Sequence, residues 1–181
     1  VWNDQIAELG VKIMEARQAF VLLLDKFASA VQYEISGEEL KIAYQPSIRM
    51  ETPSKAEFFN VLEQHQRREI EFAAALYGIQ RDDIGINVNA RPVKVYGSQG
   101  QQRKVTLSMK MAQAEYIHHI KEEYPLLLLD DIMSELDIHR RMYLAEKIKD
   151  KQTLITSTDT DLKAETKDTK LFKIENGRVV S

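Results

Sequence analysis

Cysteine is absent from this chain of 181 residues. Disulfide bonds, thiolate metal sites and cysteine nucleophiles are therefore excluded, which is in keeping with a reducing compartment. Glycine and proline are scarce, with 7 and 4 residues, while 44% of the residues are hydrophobic and 29% are charged. This composition excludes collagen-like, low-complexity and disordered chains. It leaves one globular domain, or one and a half domains that share a core.

Long apolar runs are also absent. The longest, residues 20–24 and 125–129, are far shorter than the roughly 20 residues that a bilayer span needs, so we expect no membrane association. The net charge is −3, so DNA binding would have to come from a local basic patch. The chain begins with Val1 rather than Met, and we expect a fragment or a processed product.

The first 31 residues carry apolar positions in alternating steps of four and three, a period of 3.5 that predicts one long helix packed along a partner. The repeat comprises Trp2, Ile6, Leu9, Ile13, Ala16, Phe20, Leu23, Phe27 and Ala30. An ordinary bundle helix and a projecting, coiled-coil-like arm both fit this pattern. Gly10 within the helix costs about 1 kcal/mol relative to alanine.

Shorter elements are predicted next. Alternating Leu40, Ile42 and Tyr44 favour a strand near residues 38–46. Ser54 is a candidate N-cap for a second helix, and Gly78 stands where a C-cap glycine is expected. A hairpin pattern follows, in which residues 84–88 and 93–95 form the strands and residues 89–92 form a polar turn.

The second half of the chain alternates strands and helices, which predicts an α/β sheet. Four leucines, residues 126–129, read as a central parallel strand that is covered on both faces. A helix and a strand at residues 153–156 follow it. Asn176-Gly177 is a strong hairpin signal near the end of the chain.

Asp130 and Asp131 follow the four leucines directly. A buried strand would fix both carboxylates at the carboxyl edge of the sheet, where α/β proteins bind ligands. The first acid could hold Mg²⁺, and the second could orient or deprotonate a water molecule. This is the Walker B arrangement of P-loop ATPases, although a strand end with an acidic turn fits the two residues alone.

The segment Ser98-Gln99-Gly100-Gln101-Gln102 lies between a predicted strand and a helix of about 20 residues. Free N–H groups at a helix start can bind phosphate, and a glycine lets the phosphate approach the backbone closely. Glycine-containing helix starts are common. The prediction of a nucleotide site therefore rests on the order along the chain, in which this segment and its helix precede the acidic strand. Arg103 and Lys104 are expected to support the nucleotide or a partner subunit.

These two motifs together resemble the RecF family, bacterial recombination-mediator ATPases of the ABC/SMC-like class. Residues 96–102 resemble that family's ABC signature motif, and Asp130 and Asp131 resemble its Walker B acids. Residues 134–137 resemble the D-loop, and residues 156–159 resemble a Thr-rich segment in the place of a switch histidine. Residues 78–83 resemble a Gly-Pro-His-Arg-Asp-Asp segment, except that Ile79 and Gln80 depart from it.

The resemblance implies the C-terminal half of an ABC/SMC-type ATPase head. Residues 1–78 would form a helical lobe, with the short strand near residues 38–46, and residues 79–181 the end of the ATPase domain. Family members bind ATP and Mg²⁺ and dimerise around two nucleotides. The ATP-bound dimer clamps DNA, notably at duplex–single-strand junctions. It works with RecR and RecO to help RecA load on gapped DNA, in the bacterial cytoplasm.

Residue roles follow from the same resemblance. Asp130 would contact Mg²⁺, and Asp131 would position or activate the attacking water. The signature segment would cap the γ-phosphate that the partner subunit holds, through Ser98, Gly100 and Gln101. The D-loop residues Ser134 and Asp137 would link the two sites across the dimer. The residues of the switch segment are Thr156, Ser157 and Thr158.

A Walker A sequence, G-x-x-x-x-G-K-[S/T], does not occur in these 181 residues. The phosphate-binding loop is therefore expected N-terminal to Val1, and the chain alone is predicted not to hydrolyse ATP. Two functions stay open: a DNA clamp with slow ATP hydrolysis, and a non-catalytic adaptor that only binds partners. Paired basic residues, such as Arg140-Arg141, fit either DNA contacts or solvated helix faces.

Overall fold

The computed structural model describes residues 2–133, 136–158 and 169–180, with a mixed α/β fold. Its helices are α1 (Trp2–Ser36), α2 (Lys55–Phe72), α3 (Val93–Tyr96), α4 (Gln99–Lys121) and α5 (Ile138–Ile148). Its strands are β1 (Leu40–Gln45), β2 (Asp83–Val88), β3 (Arg91–Pro92), β4 (Leu127–Asp130), β5 (Thr153–Thr156), β6 (Ile174–Glu175) and β7 (Arg178–Val179). No helix in these ranges is long and apolar enough to cross a membrane.

The chain forms two compact units, Val1–Tyr116 and Ile117–Ser181. The predicted division into residues 1–78 and 79–181 concerns the lobes of a complete family member and stays a prediction. In the first unit, β1 precedes the boundary between residues 78 and 79 and β2 follows it. The two strands pair in an antiparallel register, with Leu40 opposite Val88 and Tyr44 opposite Ile84.

The first unit contains an antiparallel sheet in the order β1-β2-β3. Asn89 and Ala90 turn the chain between β2 and β3 with φ angles of 48° and 62°, as a two-residue hairpin turn requires. The predicted second strand, residues 93–95, is wrong, because Val93–Tyr96 is the short helix α3 and the second strand of the hairpin is Arg91–Pro92. Proline has no N–H for a sheet ladder, and the N–H of Gly97 bonds the carbonyl of Val93 at 2.9 Å.

Helix α1 packs against β1 and α2, and its buried face differs from the predicted one. The buried apolar positions are Ala7, Gly10, Met14, Val21, Leu24, Ala28, Val31 and Ile35. They repeat with the predicted period but lie one position further along the chain. Trp2 and Leu9, at the start of the predicted face, are 76% and 58% exposed.

Phe58 of α2 fixes the contact between α1 and α2. Its side chain is completely buried, and its ring lies over Gly10. A Cβ atom at Gly10 would stand 2.7 Å from Cζ of Phe58. The helix tolerates glycine at this position because the ring occupies the place of a side chain.

The caps of α2 agree with the sequence at one end and differ at the other. The hydroxyl of Ser54 accepts the N–H of Glu57, which confirms the predicted N-cap. The prediction of Gly78 as the C-cap is wrong, because α2 ends at Phe72 and its C-cap is Ala73, with φ of 48°. The side chain of Glu69 accepts the N–H groups of Leu76 and Tyr77 at 2.7 and 3.0 Å, which stabilises the chain after that earlier end.

In the second unit β4 and β5 pair in parallel, with Leu128 opposite Leu154 and Asp130 opposite Thr156. Leu127 and Leu129 are buried, whereas Leu128 is 69% exposed. The prediction of a strand covered on both faces is therefore wrong for this chain, because β4 and β5 alone make up this sheet among the described residues. The predicted Asn176-Gly177 turn is confirmed between β6 and β7.

Candidate nucleotide-binding site

The predicted signature segment begins α4. The hydroxyl oxygen of Ser98 accepts the N–H of Gln101 at 3.2 Å, and the side-chain oxygen of Gln101 accepts the N–H of Ser98 at 3.0 Å. This reciprocal pair is a capping box, so it satisfies two donors at the helix start. Neither bond uses the hydroxyl hydrogen of Ser98, and Ser98 is exposed. That hydrogen can therefore be donated to an acceptor outside the chain.

The two glycines of the segment differ in their surroundings. A Cβ atom at Gly97 would lie 2.5 Å from the carbonyl oxygen of Val93, so the local fold requires glycine there. A Cβ at Gly100 would meet nothing nearer than the Ser98 hydroxyl at 4.0 Å. Gly100 is exposed, as are Gln99 and Gln102. The fold of the chain does not require glycine at position 100, which fits the close approach of an external group.

The side chain of Glu38, in the loop after α1, contacts this segment. Its carboxylate accepts the side-chain N–H of Gln101 at 2.7 Å and pairs with Lys104 at 2.5 Å. Lys104 was expected to support a nucleotide or a partner subunit, and here its partner is Glu38. No local pattern predicts this contact, because 63 residues separate Glu38 from Gln101.

The predicted acids and the predicted switch segment meet at the ends of β4 and β5. The hydroxyl of Thr156 donates a hydrogen bond to Oδ1 of Asp130 and accepts the N–H of Asp131 at 3.0 Å. Asp131 has φ of 50°, a left-handed conformation that is uncommon outside glycine but tolerated by aspartate. The three residues thus form one polar cluster at the carboxyl edge of the parallel sheet.

The donor atoms of this cluster suit a magnesium ion. One carboxylate, of Asp130, and one hydroxyl, of Thr156, lie together and could serve as hard oxygen ligands. Mg²⁺ typically binds proteins through one or two carboxylates and takes its other ligands from water and phosphates. No group of three or more acidic, histidine or cysteine side chains that could hold a metal occurs in the described part of the chain. Asp130 therefore fits a magnesium site that is completed by water and phosphate better than a site built from protein ligands alone.

Two further predicted segments flank the acids. Asp137 is the N-cap of α5, since its side chain accepts the N–H of Arg140 at 3.1 Å, and it pairs with the Arg140 guanidinium at 2.5 Å. Ser134 lies outside the described residues. Ser157 and Thr158 follow β5, with Ser157 half-buried and Thr158 exposed. The structure thus gives Asp137 a local role in the fold, and its predicted role across a dimer stays a prediction.

The segment that resembles Gly-Pro-His-Arg-Asp-Asp contains a structural anchor at Asp82. Its side chain pairs with Arg17 of α1 at 2.8 Å, accepts the N–H of Ser47 at 2.9 Å and accepts the hydroxyl of Tyr44. The pKa of Tyr44 is raised to about 12, mainly by partial burial and to a smaller extent by the hydrogen bond to Asp82. Asp82 therefore joins α1, β1 and the start of β2.

Similarity to solved structures defines the fold class of the chain. Solved structures of the recombination mediator protein RecF of the RecFOR pathway, with ATPrS and with ATP, match 98% of this chain and 48% of theirs. Each has a TM-score of 0.83 and 29% identity. An Smc head bound to the C-winged helix domain of ScpA matches 91% of this chain and 43% of its own, with a TM-score of 0.52 and 15% identity. The fold is that of the C-terminal half of an ABC/SMC-type ATPase head, as predicted.

Sequence comparison defines the family. The chain is 40% identical over 190 residues to the DNA replication and repair protein RecF of Staphylococcus carnosus (strain TM300), covering 99% of this chain and 51% of that protein. RecF of Bacillus cereus (strain G9842) is also 40% identical, with 99% and 50% covered. No family model matches the chain. The chain fits a fragment of a RecF protein and spans about half the length of these relatives.

Proposed function

We propose that this chain is part of a RecF-like, ATP-dependent DNA clamp that acts in recombinational repair. In the complete protein, ATP would join two copies into a dimer, and slow hydrolysis would reset it. The observation that carries the proposal is the cluster in which Thr156 contacts both Asp130 and Asp131 at the edge of the parallel sheet. Such edges hold the ligand sites of α/β proteins.

Each acid has a proposed role in hydrolysis. Asp130 would hold Mg²⁺ with the help of Thr156, whose hydroxyl fixes one oxygen of the carboxylate. When bound there, Mg²⁺ would neutralise charge on the phosphate oxygens. Asp131 follows at a turned backbone position, because its φ is 50°, and its N–H is held by Thr156. It would orient or deprotonate the attacking water molecule.

The signature segment would act on the nucleotide of the second copy. The free hydroxyl hydrogen of Ser98, the side-chain amide of Gln101 and the open backbone at Gly100 all suit a γ-phosphate. The start of a helix also carries a partial positive charge that favours an anion. Ser134 and Asp137 would couple the two sites of such a dimer, and Thr156, Ser157 and Thr158 would form its switch segment.

An open apolar face supports the view that the complete protein covers β4 and β5. Leu126, Leu128 and Leu154 are 50%, 69% and 56% exposed. Residues 126, 128 and 130 alternate onto one face of the strand, so Asp130 shares the face of the exposed leucines. The phosphate-binding loop would belong to the part of the protein outside this chain, and an element packed on this face would bring it near Asp130.

DNA, with preference for duplex–single-strand junctions, is the proposed substrate of the clamp in the bacterial cytoplasm. RecR, RecO and RecA are its proposed partners. Binding of DNA phosphates requires that the ATP-bound dimer present a basic surface. Arg140 and Arg141 of α5 are candidates for phosphate contacts, although Arg140 also pairs with Asp137.

A non-catalytic adaptor is the alternative function. The capping box favours it, because helix capping alone explains the choice of Ser98 and Gln101. The two functions differ in what they require of Asp131. An adaptor needs no second acid beside the magnesium ligand, whereas a hydrolase needs a group that acts on water.

The test replaces Asp131 by asparagine in the complete protein. ATP hydrolysis should fall by about 100-fold, because a positioned acid–base group contributes roughly 10² to 10⁴ in rate. ATP-dependent dimerisation should persist, because asparagine keeps the size of the side chain and does not alter the signature segment. Steady-state phosphate release and analytical ultracentrifugation measure the two properties.

Asp150→Asn is the matched control, since Asp150 is exposed in the turn after α5 and takes part in none of the hydrogen bonds of the cluster. It should leave both properties unchanged. If Asp131→Asn also leaves hydrolysis unchanged, the catalytic role of Asp131 is wrong. Absence of ATP-dependent dimerisation in the unmodified complete protein would favour the adaptor.

A further inference from the structure

We infer that Glu38 is a positioning residue that holds the signature segment in the arrangement that receives a γ-phosphate. The inference rests on the proposed function, because it deepens the role of the same segment. Glu38 lies outside the motifs that identify an ABC-type site. Its contacts with Gln101 and Lys104 carry the inference.

The backbone before Glu38 directs its side chain toward α4. Helix α1 ends at Ser36, and Gly37 takes φ of 66° while its N–H bonds the carbonyl of Tyr33 at 2.8 Å. This is the left-handed helix end that glycine favours. The N–H of Glu38 is bonded to the Ser36 hydroxyl at 3.3 Å. The loop therefore presents the carboxylate from a defined position.

The carboxylate fixes the orientation of the Gln101 amide. One end of that amide, its oxygen, accepts the N–H of Ser98 at 3.0 Å, and the other end, Nε2, donates to Oε1 of Glu38 at 2.7 Å. An amide held at both ends cannot rotate without breaking a bond. Its second N–H hydrogen is not used in the bond to Glu38 and stays available for a phosphate oxygen.

Lys104 neutralises the negative charge of Glu38. Its Nζ lies 2.5 Å from Oε2, and the two side chains are 17% and 18% exposed. Partial burial raises the pKa of Glu38, but hydrogen bonds from Lys104, Gln101 and Ser36 lower it below its ordinary value. The pair is therefore ionised and carries no net charge. An unpaired carboxylate beside the segment would repel a triphosphate, whereas this neutral pair does not.

The test compares dimer affinity at saturating ATP for variants of the complete protein, measured by analytical ultracentrifugation. Glu38→Ala should weaken dimerisation by about tenfold, which corresponds to the loss of a charge-assisted hydrogen bond. Glu38→Gln, which keeps an acceptor for Gln101, should recover most of that loss. Glu39→Ala is the matched control, because Glu39 is an exposed neighbour, and it should leave dimerisation unchanged.

A double variant separates positioning from a general effect on stability. If Glu38 acts through Gln101, then Glu38→Ala combined with Gln101→Ala should dimerise no more weakly than Gln101→Ala alone. Suppose that Gln101→Ala weakens the dimer. The role of Glu38 is then wrong if Glu38→Ala leaves dimerisation unchanged, or if the losses caused by the two substitutions add in the double variant. Unchanged dimerisation of Gln101→Ala would instead contradict the proposed role of the signature segment, and with it the inference.

Discussion

At the scale of single residues, the candidate site shows how one side chain can serve both the fold and a ligand. Ser98 accepts a backbone N–H as a helix cap and keeps its own hydrogen for another acceptor. Thr156 similarly donates to Asp130 while it accepts from Asp131. Gly100 differs, because nothing in the chain requires the absence of a side chain there. It is therefore the residue of the segment whose identity is best explained by an external group.

Gly100→Ala separates these roles. Folding should be unaffected or slightly stabilised, by up to about 1 kcal/mol, because alanine is the better helix former and its Cβ meets open space. Dimerisation of the complete protein with ATP should weaken about tenfold or more, since the methyl group would stand where a phosphate approaches. Thermal unfolding and analytical ultracentrifugation measure the two effects.

Gly97→Ala is the contrasting variant. Its Cβ would lie 2.5 Å from the Val93 carbonyl oxygen, so it should lower the unfolding temperature even without ATP. If Gly100→Ala lowers the unfolding temperature as much as Gly97→Ala and does not affect dimerisation, then Gly100 serves the local fold alone.

At the scale of secondary-structure elements, predictions succeeded where local chemistry decides and failed where packing decides. The Ser54 N-cap and the Asn176-Gly177 turn follow from hydrogen bonds and backbone conformation within a few residues. The buried face of α1 does not. Apolar residues stand side by side along it, as at Leu9-Gly10 and Ile13-Met14, so the sequence contains two adjacent stripes. The positions of β1 and α2 determine which stripe is buried.

The candidate site shows the same division. The pairing of Ser98 with Gln101 spans three residues, and the acids follow directly from the pattern of β4. In contrast, the contact of Glu38 with Gln101 and the bond of Thr156 with Asp130 span 63 and 26 residues. No periodicity reports contacts of that range. The motifs could therefore be predicted, whereas the residues that hold them in place required the structure.

The Asp82 anchor, which joins α1, β1 and β2, predicts a pH dependence. Partial burial and the bond to Asp82 raise the pKa of Tyr44 to about 12, above the value of about 10 for an unfolded chain. The stabilisation from neutral Tyr44 should be fully present below pH 10 and should be lost as the pH rises through about 12. Urea unfolding of the chain at a series of pH values measures this loss.

Tyr44→Phe should remove that part of the pH dependence. It should also lower the free energy of unfolding at neutral pH by about 1 kcal/mol, because the buried carboxylate of Asp82 loses one donor. Tyr33→Phe is the control, since Tyr33 is 68% exposed on α1. Equal alkaline destabilisation of the Tyr44→Phe variant and the unmodified chain would show that the Tyr44 contact does not contribute.

At the scale of the whole molecule, the chain would contribute only parts of the proposed nucleotide site. It carries the acids and the signature segment, but no Walker A sequence, and it spans about half the length of its RecF relatives. In the proposed dimer, the acids of one copy would work with the signature segment of the other. The central claim is therefore that each nucleotide is shared between two molecules.

Mixing two inactive variants of the complete protein tests that claim directly. Asp131→Asn and Gly100→Ala should each hydrolyse ATP poorly alone. In a mixed dimer, one site would carry both changes and the other would carry neither. At a protein concentration at which both variants are fully dimeric, an equal mixture should recover about one quarter of the unmodified activity, because half of the random dimers are mixed and each has one intact site. A mixture no more active than its two components would contradict a site shared between copies.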